Sequence, residues 1–321
     1  MPLPNDQKVV ALANDLVQQF DTMFGLHPGF RPAHAKGMLL TGAFTPAAAA
    51  ISISRAPHFS RPSTPVTVRF SNATGLPQIP DNDANAGPRG MSVRFHLGEH
   101  VHTDIVAHST DAFPTRTGQE FLEFLRAAAA SQGATESPSP IEKFLGAHPA
   151  ALRFVQAPKP TPVSFAREAF FGVTAMRFID KGGAARYGRY RLEPAAGIEH
   201  LDDKTSAGLG PNFLFQELTE RVKRAPIGFR VLLQVAADGD VVDDATANWP
   251  ASRQVVELGE ISLTSTVPED HEEQRHIIFD PIPRVDGIEA SADPLLELRA
   301  AVYLISGRRR RAAETAKTST A

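Results

Sequence analysis

Apolar and polar residues alternate along two segments in the first third of the chain, and this two-residue period restricts the fold more than any other feature. The first segment covers residues 66–71 and the second covers residues 91–95. Successive side chains of a strand point to opposite faces, so each segment predicts a strand with one apolar and one polar face. Arg69 and Arg94 stand on the polar faces.

Four later segments also have strand character, at residues 175–178, 188–192, 228–235 and 255–263, whereas residues 121–130 are typical of a helix. Several strands in mixed spacing with helices predict a β-barrel core with added helices. A length of 321 residues fits one large domain. We predict that residues 1–311 form this domain and that residues 312–321 are a disordered tail.

A helix is predicted at each end of the domain. Residues 1–24 carry apolar side chains at intervals of three and four, and Asn5 or Asp6 can cap the helix. The segment lacks the basic start and the uninterrupted apolar core of a signal peptide, so we expect a cytoplasmic protein. The second helix covers residues 293–310 and has Pro294 at its start.

The composition excludes several kinds of function. The 36 acidic and 33 basic side chains leave no cationic excess for binding nucleic acid. No stretch approaches the roughly 18–20 apolar residues of a membrane span. The chain has 0 Cys, which removes disulfides, thiolate nucleophiles, zinc ribbons and iron–sulfur clusters. A metal or haem, if present, must bind to His, Tyr or a carboxylate.

Two histidine patterns resemble metal sites without meeting their requirements. His100 and His102 share one face of a strand, but His96 and His108 supply no third ligand at metal-site spacing. We therefore interpret these histidines as solvated side chains and not as metal ligands. Residues 271–276 resemble the metalloprotease motif, but the second histidine comes one residue too late and the two rings diverge on a helix.

The C-terminal helix carries a stronger pattern. At about 100° per residue, Arg299, Tyr303 and Arg310 share one helix face. A guanidinium one turn before a phenol can hydrogen-bond its oxygen and favour the phenolate. A phenolate suits ferric iron, and tyrosine is one of the few side chains that bind haem iron. The spacing alone is also typical of a surface pair.

Several segments of the sequence, in the same order along the chain, resemble the haem catalase family over roughly residues 25–311. Residues 31–37 contain Arg31, two further residues and then His34-Ala-Lys-Gly37, which is similar to the family's segment around its distal histidine. Arg299 and Tyr303 match its proximal Arg-x-x-x-Tyr. The other similar segments lie at 68–71, 87–95, 103–121, 248–250, 257–259 and 279–294.

The resemblance implies an α+β fold with an antiparallel β-barrel core, surrounding helices and a C-terminal helix that carries the haem ligand. It implies haem b as the cofactor and Tyr303 as the axial ligand of its iron. His34 would be the distal base, oriented by Ser71, and Phe113 would help to line the access channel. The residues implied to contact the rest of the haem are Arg299 beside the phenolate, Phe121 on the distal face, and Arg31, Arg69 and Arg310 at the propionates.

Two features depart from the family pattern. His108 stands where catalases have an asparagine beside the distal histidine. The asparagine donates a hydrogen bond, whereas a histidine can donate a hydrogen bond, accept one or become positively charged. The chain ends 18 residues after Tyr303, and its N-terminal segment is short. This outline resembles the small catalase-related peroxidases. We therefore expect a haem peroxidase that reduces hydrogen peroxide or organic hydroperoxides with a small organic electron donor and has weak catalase activity.

Two other functions stay open at this point. Allene oxide synthases use the same fold and ligand to isomerise fatty-acid hydroperoxides without a reducing donor, and a haem carrier or sensor would need no distal base. The expected assembly is a homo-oligomer, a dimer or a tetramer. The four arginines at 308–311 could meet a partner, although a solvated helix end is the simpler interpretation.

Overall fold

The structure is a computed structural model, and it describes residues 2–268 and 270–318. Its strands are β1 (Gly37–Pro46), β2 (Thr64–Ser71), β3 (Gly90–Gly98), β4 (Val101–His108), β5 (Phe170–Phe171), β6 (Met176–Ile179), β7 (Ala185–Pro194), β8 (Ile227–Val235), β9 (Val255–Thr266) and β10 (Ile288–Ala290). Its α-helices are α1 (Gln7–Phe24), α2 (Ala50–Ile53), α3 (Gly118–Ala130), α4 (Pro140–Ala147), α5 (Pro149–Gln156), α6 (Asp203–Ala207), α7 (Phe213–Arg224), α8 (Asp270–His276) and α9 (Leu295–Thr318).

The strands form an antiparallel sheet that closes on itself. The order β7-β5-β4-β3-β2-β1-β9-β8 returns to its start because β7 also pairs with β8, from Gly188 opposite Val235 to Pro194 opposite Phe229. These eight strands make a barrel, and β6 and β10 extend the sheet beside β7. The predicted barrel core with surrounding helices is confirmed.

The alternation of β2 separates the barrel interior from its outer face. Val66, Val68 and Phe70 are buried in the interior core, where the Phe70 ring lies 5.3 Å from Phe165 and 5.8 Å from Phe229. Arg69 and Ser71 project from the opposite face. Phenylalanine rings fill the interior, so polar side chains of the strands face outward.

Helices α1, α3 and α9 pack together over this outer face. Their shared apolar cluster contains Leu16 of α1, Leu122 of α3 and Leu298 of α9. Asp6 caps α1, as predicted, by accepting a hydrogen bond from the backbone N–H of Lys8. Asp293 does the same for α9, because its Oδ1 accepts from the Leu295 N–H at 2.9 Å.

Helix α9 is described to Thr318, and residues 319–321 lie outside the described part of the chain. The domain at 1–311 and the disordered tail at 312–321 stay predictions of the sequence. Within residues 2–268 and 270–318, no helix is both long and apolar enough to cross a membrane.

His58 is a buried titratable group at a distance from these helices. It is 1% exposed, and its ring lies 4.1 Å from the Phe59 ring and 4.8 Å from the Phe95 ring. Its Nδ1 atom has no hydrogen-bond partner among the described residues. Burial, with a smaller contribution from Arg61, lowers the pKa of His58 to about 3.

This burial predicts acid sensitivity. An unfolded histidine binds a proton near pH 6.5, whereas His58 stays neutral in the fold, so the unfolded state binds more protons as the pH falls below 6.5. The free energy of unfolding should fall by about 3 kcal/mol between pH 6.5 and pH 4 because of this group. The free energy of unfolding, measured by urea denaturation, should fall less over this pH range in His58→Leu than in the wild type. The control His100→Asn changes an exposed histidine and should lose as much unfolding free energy as the wild type. Equal losses in His58→Leu and His100→Asn would contradict the prediction.

Candidate functional site

A cavity of about 1320 Å³, counting its opening to solvent, lies between the outer face of the barrel and helices α1, α3 and α9. Residues that are far apart in the chain, from Leu16 to Arg310, line it, so the set of lining residues depends on the tertiary structure. It brings together every site residue predicted from the sequence: Arg31, His34, Arg69, Ser71, His108, Phe113, Phe121, Arg299, Tyr303 and Arg310.

His34 occupies an uncommon backbone conformation in the loop before β1. Its φ angle is +55°, a left-handed value that costs a residue other than glycine about 1–3 kcal/mol. Hydrogen bonds hold this conformation from both sides. The His34 N–H donates to the carbonyl oxygen of Ala73 at 2.8 Å, and the His34 carbonyl accepts from Arg69 Nη2 at 2.9 Å.

The His34 ring is oriented by Ser71 at the end of β2. The Nδ1 atom of His34 lies 3.1 Å from Ser71 Oγ, which leaves Nε2 to face the cavity. Withdrawal from bulk water, followed by the charges of Arg69 and Arg31, lowers the pKa of His34 to about 4. The ring is therefore neutral at physiological pH and can accept a proton.

His108, the last residue of β4, repeats this arrangement. Its Nδ1 atom lies 2.8 Å from Thr110 Oγ1, so its other ring nitrogen is also left to the cavity. Withdrawal from water, Arg299 and His34 lower the pKa of His108 to about 3. The barrel side of the cavity therefore presents two neutral imidazoles, each tied to a hydroxyl group. Thr110 was not predicted, although its position two residues after His108 would allow this contact.

Tyr303 and Arg299 line the helix side of the cavity. Arg299 Nε donates a long hydrogen bond of 3.4 Å to the Tyr303 hydroxyl oxygen, and the guanidinium carbon lies 5.8 Å from the ring centroid. Both side chains project from α9 one turn apart, as the predicted shared face requires. The arrangement supplies one oxygen ligand with a cation beside it.

Three arginines meet at one end of the cavity: Arg31 from the loop before β1, Arg69 from β2 and Arg310 from α9. Within the described residues, none of them forms an ion pair with a carboxylate, and Arg310 Nε has no partner. Burial and their mutual repulsion lower the pKa of all three below the ordinary arginine value. Unneutralised cations of this kind favour an anionic ligand, above all one with carboxylates.

Helix α8 holds these arginines in place. Gln274 Oε1 accepts from Arg69 Nε at 2.7 Å, and the backbone oxygen of Gln274 accepts from Arg31 at 3.2 Å. The Ile277 carbonyl accepts from Arg31 at 3.0 Å and from Arg310 at 2.9 Å. The pattern at residues 271–276 was notable for its two histidines, but the residue of this segment that contacts Arg69 and Arg31 is Gln274. No feature of the sequence indicated this role.

The remaining histidines lie away from the cavity lining. His96 and His102 face each other across β3 and β4, and His96 Nε2 lies 2.9 Å from Thr67 Oγ1. In the described part of the chain, no group of three or more His, Asp or Glu residues is placed to hold a metal ion.

Gly90 leaves the space in which His34 and Ser71 meet. A Cβ atom at this position would lie 2.5 Å from Ser71 Oγ and 3.0 Å from His34 Nδ1. We expect Gly90→Ala to break the hydrogen bond between these two side chains and to lower the free energy of unfolding by about 1–3 kcal/mol through overpacking. Histidine side-chain ¹H–¹⁵N NMR should show the single tautomer of His34 replaced by a mixture.

Gly98→Ala is the matched control on the same strand, because the nearest atom to its added Cβ would be 3.8 Å away. Its histidine spectrum should equal that of the wild type. An unchanged His34 signal in Gly90→Ala would contradict the proposed orientation by Ser71.

Solved catalases share this architecture. The structure superposes on a crystal structure of a fungal catalase with a TM-score of 0.77 at 22% identity, over 92% of this chain and 62% of that chain. Catalase A from Saccharomyces cerevisiae gives a TM-score of 0.76 at 22% identity, over 92% of this chain and 64% of that chain. The chain thus spans less than two thirds of the length of these two structures.

Curated relatives of similar length are closer in sequence. The "Catalase-related peroxidase" of Mycolicibacterium paratuberculosis (strain ATCC BAA-968 / K-10) is 35% identical over 285 residues, 88% of this chain and 89% of the relative. The "Catalase-related peroxidase" of Synechococcus elongatus is 32% identical over 298 residues, 91% of this chain and 87% of the relative. The Catalase family model matches residues 28–318. The chain belongs to the catalase family.

Proposed function

We propose that this protein is a haem peroxidase that reduces hydrogen peroxide or an organic hydroperoxide with a small organic electron donor. The observation that carries this proposal is the cavity itself, in which two neutral imidazoles face a tyrosine oxygen and three arginines close one end. The similarity to two catalase-related peroxidases supports the same activity.

The residues of the cavity fit haem b. Tyr303 would bind the iron, Arg299 would stabilise its phenolate, and Arg31, Arg69 and Arg310 would bind the two propionates. Within the described residues, Arg310 Nε has no partner and the three arginines form no ion pair, so a dianionic ligand would satisfy them. Phe121 and Phe113, whose rings lie 4.9 Å apart, would cover the macrocycle and exclude water. When bound, haem supplies the redox-active iron that accepts the oxidising equivalents of the peroxide.

His34 is the proposed acid–base group. In its neutral form, Nε2 accepts a proton from one peroxide oxygen and returns it to the other, which lets the O–O bond break heterolytically. The hydrogen bond between Nδ1 and Ser71 fixes the tautomer that this exchange requires. The low pKa of His34 keeps the ring able to accept a proton in neutral and mildly acidic solution.

His108 is the second proposed catalytic residue. It would hydrogen-bond the peroxide from the barrel side, and the contact of its Nδ1 atom with Thr110 Oγ1 supports a fixed ring orientation. A neutral imidazole donates or accepts according to its tautomer, whereas the asparagine of full catalases has a dedicated donor. We therefore propose that a second peroxide is oxidised slowly and that an organic donor reduces the enzyme instead, with weak catalase activity as the result.

No observation favours hydroperoxide isomerisation or haem carriage over this function. Conversion of a fatty-acid hydroperoxide without any donor would identify an isomerase. Slow peroxide consumption with ready haem exchange would identify a carrier. The cytoplasmic location and the dimeric or tetrameric assembly stay predictions of the sequence.

Removal of the proposed iron ligand should separate cofactor binding from catalysis. We expect Tyr303→Phe to lose the ferric Soret band or to weaken haem binding at least 100-fold, because the phenyl ring offers no ligand atom. His34→Ala should keep the Soret band and lose at least 100-fold in the rate of peroxide cleavage, because it lacks the base. A haem-loaded His34→Ala protein with wild-type turnover would contradict the mechanism.

Replacement of His108 should change the ratio of the catalase reaction, which releases oxygen, to the peroxidase reaction, which oxidises the donor. In His108→Asn, we expect oxygen release from hydrogen peroxide alone to rise at least threefold relative to donor oxidation, since asparagine offers a dedicated donor to the second peroxide. An oxygen electrode and a donor assay on the same preparation measure the ratio. His108→Ala is the control that removes the ring without adding a donor, and a ratio as high as that of His108→Asn would rule out this role.

A further inference from the structure

A cluster of buried polar side chains lies beside the His34 loop and outside the lining of the cavity. It consists of Lys36, Asn72, Asp81 and Arg89, and we refer to it as the Asp81 cluster. Asn72 and Asp81 are 0% exposed and Arg89 is 3% exposed. Charged groups are rarely buried to this extent unless they are paired. The proposed chemistry of the site uses none of these four residues.

One carboxylate oxygen is central to the Asp81 cluster. Asp81 Oδ1 accepts hydrogen bonds from Lys36 Nζ at 2.7 Å and from Asn72 Nδ2 at 2.9 Å. The other oxygen, Oδ2, accepts from the backbone N–H of Leu214 in the first turn of α7 at 2.9 Å. Hydrogen bonds to an ionised group are short and strong, so both oxygens of this buried carboxylate are fixed.

Lys36 lies two residues after His34, and its ammonium group is held at three points. Besides Asp81, it donates to the carbonyl oxygens of Ile79 at 2.8 Å and Pro211 at 2.9 Å. An ammonium group has three N–H donors, so each of them has a partner. Side-chain contacts therefore fix the position of Lys36 in addition to its backbone hydrogen bonds.

Two chain segments meet at Asp81. Three backbone hydrogen bonds, of 2.8, 2.9 and 3.1 Å, connect residues 34–36 with residues 72–74. Asp81 Oδ1 connects the same two segments through side chains, because Lys36 belongs to the first and Asn72 to the second. The first segment carries the proposed base, and the second directly follows the hydroxyl group that orients it.

The backbone conformation of His34 needs this support. Its left-handed φ of +55° persists only where the surrounding structure holds it. A buried ion pair adds little to stability compared with apolar packing, because the loss of hydration offsets the attraction between the charges. The contribution that remains for the pair of Lys36 and Asp81 is to the geometry of the loop.

Arg89 extends the Asp81 cluster toward the second imidazole. Its Nη1 atom donates to Asn72 Oδ1 at 2.5 Å, and its Nη2 atom donates to the Asp81 carbonyl at 2.6 Å. Its backbone N–H donates to Ser109 Oγ at 2.9 Å, and Ser109 directly follows His108. The same cluster therefore supports both sides of the proposed catalytic pair.

We propose that Asp81 is a positioning residue of the peroxidase site, which holds His34 at hydrogen-bond distance from Ser71 by binding Lys36 and Asn72 through one oxygen atom. Asp81 acts through these residues and touches neither substrate nor cofactor. Its effect on peroxide cleavage rests on the proposed function, whereas its effect on the orientation of the His34 ring does not.

The main test variant is Lys36→Met/Asp81→Asn, which removes both charges and so leaves no unpaired ion in the interior. In histidine side-chain ¹H–¹⁵N NMR of the full chain, the single tautomer of His34 should be replaced by a mixture. The haem-loaded variant should keep the Soret band of the wild type. It should lose at least tenfold in the rate of peroxide cleavage, because a small displacement of a catalytic group is costly.

Asn72→Asp is the second test variant. It keeps the size of the side chain and the acceptor for Arg89, but it places an oxygen where Asn72 Nδ2 donates to Asp81. It should cause the same two changes, in the His34 signal and in the rate. The proposal thus stays testable if the double variant does not fold.

Arg253→Met/Asp240→Asn is the matched control. It removes an ion pair of similar length, 2.8 Å, whose residues lie outside the cavity lining. Its His34 signal and its rate of peroxide cleavage should equal those of the wild type.

A wild-type His34 signal or a wild-type rate in both test variants would overturn the positioning role of Asp81, and so would equal changes in the control. A wild-type protein that binds haem but does not cleave peroxide would overturn the proposed function instead. The His34 signal would then still decide whether Asp81 orients the ring.

Discussion

The packing of phenylalanine rings inside the barrel is the constraint on which the rest of the structure depends. Phe70, Phe165, Phe170 and Phe229 form one continuous buried cluster. A filled interior offers no space for a ligand, so the polar residues of β2, β3 and β4 point to the outer face. The helices α1, α3 and α9 then cover that face incompletely, and the cavity is the space that remains between the two layers.

Electrostatics divides the cavity into regions with different chemistry. The two imidazoles on the barrel side are kept neutral by withdrawal from water and by nearby arginines, which suits proton exchange. The three arginines at one end repel each other, and a dianionic ligand would relieve this repulsion. Helix α8 contributes to this end through carbonyl oxygens at its C-terminus, where the helix dipole favours cations.

Much of this site was predictable because its residues lie in local patterns. The spacing of Arg299, Tyr303 and Arg310 on one helix predicted that they share a face, and all three line the cavity. The contacts of Gln274 were not predictable, because they join residues more than 200 positions apart in the chain.

The sequence by itself determined the local elements and their faces. The period of two placed Arg69 and Ser71 on the side of β2 opposite Phe70, and the period of 3.6 placed Tyr303 above Arg299, because both periods follow from backbone geometry. Only the tertiary structure decided that β7 meets β8 to close the barrel and that Gln274 meets Arg69. These arrangements depend on packing between distant segments, where the free energy of burial selects one partner among many with similar local patterns.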